Sequence, residues 1–228
     1  MITALYSDQV IAENAPMDRR LAALVLARGN CIGYIASGPE PQREFFNEKR
    51  RYYRNYGLSL DLFFDLDVIS GNEEIGRLFS CSAIHLTGGH TGDFLRRLRQ
   101  SGMLEKLRAW ARDDGIVVGT SAGAILMTPT IAVDALFSGG SPDAVQDGAA
   151  LDLLPFEFFP HLNGDPGYFS ALLRYSETTA TPILACRDGE DLILGNGLVE
   201  IFGAPLTISG GFAEAADRGR IADLLLRA

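Results

Sequence analysis

The segment Gly115-Ile116-Val117-Val118-Gly119-Thr120-Ser121-Ala122-Gly123 constrains the fold of this chain more than any other. Its first half is short, β-branched and bounded by glycines, the pattern of a strand buried on both faces. Its second half fits G-x-S-x-G, which sets a serine on a sharp turn from strand to helix. Gly119, Ala122 and Gly123 are small enough for backbone to approach closely on both sides of that turn. The next residues, Ala124-Ile125-Leu126-Met127, can continue as a buried helix that aims free N–H groups and a positive dipole end at Ser121. The plainer reading is a tight turn whose serine caps the helix.

Around this segment, short apolar runs alternate with amphipathic ones. Strands are predicted over residues 30–36, 58–66 and 82–86, and helices over 42–56 and 72–79. Residues 94–113 carry helical spacing interrupted at Ser101-Gly102. Repeated strand–helix alternation implies an α/β fold with a mostly parallel sheet covered by helices on both faces. Residues 192–194 and 198–202, joined through Asn196-Gly197, predict a C-terminal β-hairpin with a tight mirror-image turn. Residues 212–227 predict a closing helix. No repeat, low-complexity tract or linker interrupts the chain, so residues 1–228 are expected to form one catalytic-sized domain.

Hydrophobic residues make up 47% of the 228, enough for a sizeable core. The net charge of -9 repels phosphate backbones and argues against nucleic-acid binding. Cys31, Cys81 and Cys186 are odd in number, widely spaced and set in or beside apolar runs. They read as three buried, reduced thiols, not as a disulfide framework. With no basic-then-apolar leader at the start and no apolar run near the ~20 residues a bilayer demands, a cytoplasmic location is expected, with no membrane partner.

A serine nucleophile needs a base. Among His85, His90 and His161, only His161 follows Ser121. It ends the apolar run Phe156-Glu157-Phe158-Phe159-Pro160, which suggests a strand delivering an imidazole to a loop; a satisfied buried histidine is the plainer reading. His85 falls within a strand pattern and reads as structural. His90 follows Gly88-Gly89 and is placed to line a pocket. The histidines and cysteines have no metal-ligand spacing, and no metal or cofactor is expected. The loop Thr87-Gly88-Gly89-His90-Thr91-Gly92 offers backbone donors for a developing oxyanion at a strand's carboxyl end, where ligand sites of open α/β sheets collect.

Taken in order, three blocks resemble peptidase E, the α-aspartyl dipeptidase family that also includes cyanophycinase-like members. They are Leu86-Thr87-Gly88-Gly89-His90-Thr91, Gly119-Thr120-Ser121-Ala122-Gly123-Ala124, and Leu151-Asp152-Leu153-Leu154-Pro155 leading to Phe159-Pro160-His161. A weaker block is Leu184-Ala185-Cys186-Arg187-Asp188-Gly189-Glu190. The resemblance implies a three-layer sandwich like that of class I glutamine amidotransferases. It also implies a Ser121–His161–Asp188 triad, with Glu190 as the alternative acid, and oxyanion donors at Gly89 and Ala122. His90, where the family usually has asparagine, and Thr91 are the expected substrate-binding residues. Arg174 and Arg187 are the basic residues in plausible reach of an acidic substrate. The implied activity is serine exopeptidase action on short peptides, with N-terminal Asp among them, by a monomer or homodimer.

Two other functions share features of this sequence. An α/β-hydrolase esterase also carries G-x-S-x-G, but its usual order is serine, acid, histidine. Asp134, Asp143 or Asp152 would restore that order, yet no histidine follows His161. A non-catalytic binding protein could keep the fold alone, but it has no need of Ser121, His161 and Asp188 together.

Overall fold

Residues 1–68 and 71–226 are described by the structure, a computed structural model. Five parallel strands, β1 (Ile2–Tyr6), β2 (Cys31–Ile35), β3 (Ser59–Phe64), β4 (Ala83–Leu86) and β5 (Ile116–Thr120), lie in the spatial order β3-β2-β4-β5-β1. Two others, β6 (Glu157–Phe159) and β7 (Ile183–Ala185), pair in parallel in a separate sheet. The first sheet is completed by β8 (Asp191–Gly195), antiparallel to β1, and β9 (Leu198–Phe202), antiparallel to β8. The second is completed by β10 (Leu206–Ser209) and β11 (Phe212–Ala215) in the order β11-β10-β7-β6.

Side chains along the first sheet alternate between two cores, as the period of two requires. Ile2, Ala4 and Tyr6 of β1 join Ile116 and Val118 of β5 on one face; Leu5 and Val117 point to the other. The first face is covered by α1 (Ala15–Leu26) and α2 (Glu44–Arg54), which contribute Met17, Leu21, Val25, Phe46 and Tyr53. The opposite face is covered by α3 (Asn72–Phe79), α4 (Thr91–Gln100), α5 (Met103–Arg112) and the single turn α6 (Ala122–Ile125). The second sheet and α7 (Gly167–Tyr175) pack into that same core through Phe158, Phe159, Leu184 and Leu172. The expected α/β sandwich with a mostly parallel central sheet is therefore present.

The hairpin is also where the sequence puts it. Asn196 and Gly197 take φ of 50° and 78°, the two positive values that a mirror-image two-residue turn needs. Gly102 at φ 68° divides the helical stretch between α4 and α5.

Three expectations need correction. The closing helix does not begin at Phe212: residues 212–215 are β11, folded back on β10 across Gly210-Gly211 at φ 57° and 81°, and the helix α8 spans Arg218–Leu226. Alanines and Glu214 suit a helix locally, but the positive-φ glycine pair reverses the chain and the ladder to Leu206–Ser209 wins. Arg227, the end of the expected helix, lies outside the described residues. Cys81 and Cys186 are buried, whereas Cys31 is only half-buried because it opens β2 at the sheet's end. The buried helix expected after Ser121 is also short: past Ile125 the chain tightens, with the Met127 and Thr128 N–H groups bonding three residues back to Ala124 O and Ile125 O before Pro129. Among the described residues no helix is long and apolar enough to cross a membrane.

Candidate active site

Ser121 follows the last residue of β5 and takes φ 51° and ψ −112°, a conformation L-residues rarely hold. The glycines of the motif explain how it is held. A Cβ on Gly119 would lie 2.5 Å from the carbonyl carbon of Gly123, and one on Gly123 would lie 2.1 Å from the carbonyl oxygen of Leu86. The turn is thus wedged between its own strand and β4. The Ser121 N–H is bonded to the Tyr6 carbonyl at 2.9 Å, extending the β1–β5 ladder by one residue.

His161 and Asp188 arrive from the second sheet. The parallel register pairs Phe159 of β6 with Ala185 of β7, so the chain two residues past one strand and three past the other emerges at the same end. Two further backbone bonds, Cys186 N–H to Phe159 O and Leu162 N–H to Cys186 O, tie the emerging segments together. The His161 Nε2 lies 2.9 Å from Ser121 Oγ, and its Nδ1 lies 2.6 Å from Asp188 Oδ1. A carboxylate only accepts, so Nδ1 carries the hydrogen and Nε2 is left to accept from the serine hydroxyl. Both His161 and Asp188 are half-buried. Asn163 holds the acid from a second direction, its side-chain oxygen accepting the Asp188 N–H at 2.9 Å. Glu190, the alternative acid, instead accepts from the Arg187 N–H at 2.8 Å and pairs with its guanidinium at 3.2 Å.

The loop after β4 reaches the serine closely: a Cβ on Gly88 would stand 3.5 Å from Ser121 Cβ. The N–H groups of Gly89 and Ala122 have no acceptor among the described residues, as free oxyanion donors require. Gly89 at φ 139° is pressed on Ser37, whose hydroxyl donates to Gly88 O at 2.6 Å. A cavity of about 310 Å³ opens on Ser121 and His161, walled by Gly89, His90, Thr91, Asp134 and Phe137. His90 caps α4, its Nδ1 accepting the Asp93 N–H at 3.1 Å, and is exposed. Thr91 is buried and donates to Asp134. Neither Arg174 nor Arg187 lines this cavity. Arg174 lines a separate one of about 540 Å³ with Asp143, Asp165 and Tyr168. Among the described residues no group of His, Cys, Asp and Glu is arranged to hold a metal ion.

Sequence reasoning missed Ser7, the residue after β1. Its buried hydroxyl donates to Asp188 Oδ1 at 3.1 Å and accepts the His161 N–H at 2.7 Å, fixing both partners of the serine at once. Its own N–H is bonded to Asp191 Oδ1 at 3.1 Å. Asp191 is fully buried, its Oδ2 has no partner, and burial pushes its carboxyl up to about 8. The available signal was the apolar run Ile2-Thr3-Ala4-Leu5-Tyr6 before Ser7, which reads as a buried parallel strand. Phe137, stacked on Phe159 at 4.8 Å, and Asp134 were likewise unmarked as cavity walls.

The family model of Peptidase family S51 matches residues 12–202. Two solved structures share the fold. One is a candidate peptidase E protein from Listeria monocytogenes EGD-e, with TM-score 0.63, 19% identity, and 88% of this chain and 96% of that chain covered. The other is a peptidase from an acI-B1 Actinobacterium, with TM-score 0.68, 15% identity, and 94% and 93% covered. No curated protein matches the chain in sequence.

Ser7→Ala should cost about 1–3 kcal/mol in urea unfolding, the penalty of an orphaned buried N–H. It should also slow fluorophosphonate labelling of Ser121 by roughly 10- to 100-fold through misplacement of His161. Asp191→Asn should be more stable than wild type at pH 9. A carboxyl with a raised folded-state pKa destabilises the fold increasingly as pH climbs from its unfolded value of about 3.8 to about 8. The gap in urea midpoint should therefore close as pH falls towards 4.

Proposed function

Because the chain belongs to peptidase family S51 and is a serine-type peptidase, we propose that it is an exopeptidase acting on short peptides, N-terminal Asp among their first residues, through Ser121, His161 and Asp188. The observation that carries this reading is the unbroken line from Ser121 Oγ to His161 at 2.9 Å and from His161 to Asp188 at 2.6 Å. The cavity at Ser121, about 310 Å³, suits a short peptide better than a long extended chain.

In this mechanism Ser121 Oγ attacks the peptide carbonyl while His161 Nε2 takes the hydroxyl proton. Asp188 holds the imidazole in the required tautomer and stabilises its cationic form. The carbonyl oxygen, now negative, is received by the free N–H groups of Gly89 and Ala122, a kind of stabilisation that commonly supplies about 10²–10³ in rate. Collapse of the tetrahedral species breaks the C–N bond, and His161 returns its proton to the leaving amine. Water, deprotonated by His161, then attacks the ester on Ser121 and releases the acyl residue as a free acid. Three unpaired thiols fit a cytoplasmic, reducing site of action.

A fluorophosphonate should label the wild type at Ser121 and fail on Ser121→Ala, and His161→Ala should lose roughly 10⁴-fold or more in kcat while keeping its fold by circular dichroism. Undiminished dipeptide hydrolysis by His161→Ala would remove the imidazole from the mechanism. Asp188→Asn should be impaired and Glu190→Gln active; the reverse pattern in a steady-state assay would move the acid to Glu190.

A further inference from the structure

The parallel strands β2 and β4 start side by side at the amino end of the sheet, opposite the end that carries Ser121. There the Ser82 N–H donates to the Cys31 carbonyl at 2.9 Å, and Ile32 then pairs with Ala83. Cys81 is the residue before Ser82, so one hydrogen bond between peptide groups separates the backbone of Cys31 from that of Cys81. Strands about 4.8 Å apart with a one-residue offset bring two α-carbons into the span of about 4.4–6.8 Å that a disulfide bridges.

The two thiols also act on each other. Hydrogen bonding from Cys81 is the largest influence on Cys31 and, helped by the Arg77 charge, outweighs burial and Asp61 to pull that thiol below its usual value. At Cys81 the same interaction works in reverse: the hydrogen bond to Cys31, then burial, keep the proton on. Cys81 Sγ lies 3.7 Å from the Arg77 carbonyl oxygen, which holds it at the end of α3.

Exposure divides the pair in the same way. Cys31 is half-buried and open to small reagents, whereas Cys81 is buried. Cys186 is fully buried, and burial pushes its thiol well up. The thiolate is the nucleophile, so Cys31 is the reactive member and Cys186 is inert. Neither Cys31 nor Cys81 lines the cavity at Ser121.

We propose that Cys31 and Cys81 form a reversible redox site, in which a hydroperoxide oxidises Cys31 and Cys81 closes an intramolecular disulfide. The Cys31 thiolate attacks the outer peroxide oxygen, the O–O bond breaks, and the departing alkoxide takes up the proton that Cys31 released. The sulfur is oxidised by two electrons to a sulfenic acid and the peroxide is reduced to an alcohol. The sulfenic acid carries no charge, so the interaction that kept the proton on Cys81 is lost. Cys81 releases that proton and attacks the Cys31 sulfur; the S–O bond breaks, hydroxide leaves with the proton as water, and the S–S bond forms. In a reducing compartment the bond lasts only as long as the oxidant, because a small thiol reopens it by exchange. The bridge ties β2 to the start of β4 across β3 and α3, which should raise stability and leave the carboxyl ends of the strands undisturbed.

The test treats the whole chain with hydrogen peroxide and counts free thiols by maleimide alkylation after denaturation. Wild type should keep one of its three thiols, Cys186, and a non-reducing digest should contain one linked pair of peptides, 31 with 81, that dithiothreitol separates. Cys31 should react at least ~10-fold faster than Cys186, as a half-exposed thiolate should against a buried thiol. Cys81→Ser should stop at a sulfenic acid on Cys31 that dimedone captures, and Cys31→Ser should keep both remaining thiols. Oxidised wild type should unfold at a higher urea midpoint than reduced wild type, a shift that both variants lack. Three free thiols after treatment, a lasting sulfenic acid on Cys31 of the wild type, or a link between two chains instead of within one overturns the redox site; an unchanged midpoint overturns its role as a tie. The wild-type digest needs no variant, so misfolding of either substitution leaves the decision intact. These readouts follow sulfur and not turnover, so they stand or fall apart from the exopeptidase reading.

Discussion

An L-serine held at φ 51° and ψ −112° is the constraint around which the rest is arranged. Nothing in the intrinsic preference of the residue favours that geometry, which costs on the order of 1–3 kcal/mol. It persists because Gly119 and Gly123 let backbone close on backbone, and because the Ser121 N–H is committed to β1. Any side chain at either glycine would collide with main chain, which cannot swing aside as a flexible side chain can. The hydroxyl is thereby lifted clear of the sheet and turned towards the imidazole.

β1 is the structural link between the two halves of the site. It pairs with β5 on one edge and β8 on the other, and its register aligns Tyr6 with Thr120 and with Asp191. The residue after Tyr6 is thus next to Ser121 on one side and to the Asp188 loop on the other. Ser7 occupies that position with a side chain small enough to touch both His161 and Asp188. A buried carboxyl behind it, at Asp191, accepts the Ser7 N–H, so the polar groups extend inward from the surface instead of stopping at the acid.

Much of this was legible before any coordinates. Residues 115–123 displayed the strand, the turn and the serine, because glycine spacing and β-branching are local signals. His161 was legible through its approach, since Phe158 and Phe159 did prove to be a buried strand. Ser7, Asn163 and Asp191 were not, because their roles come from register between strands far apart in sequence, and each is an ordinary polar residue locally. The same limit explains β11. Helix-favouring residues follow Phe212, but only the partner strand at Leu206–Ser209 reveals that they pair.

The walls of the Ser121 cavity have a different origin from its floor. Ser121 and Gly89 sit at strand ends wedged by backbone, whereas Asp134, Phe137 and Ser138 belong to a short 3-10 segment, Ala132–Ser138, that forms part of the cavity wall. Ala132, Val133 and Leu136 sink it into the core, Phe137 packs on Phe159 and Tyr168, and Thr91 donates to Asp134. Change at its cavity-facing positions, Asp134 and Ser138, would reshape the opening while the buried positions keep the segment in place. Diversification within such a scaffold would be written first at those two positions, where a new side chain meets the opening and displaces nothing in the core.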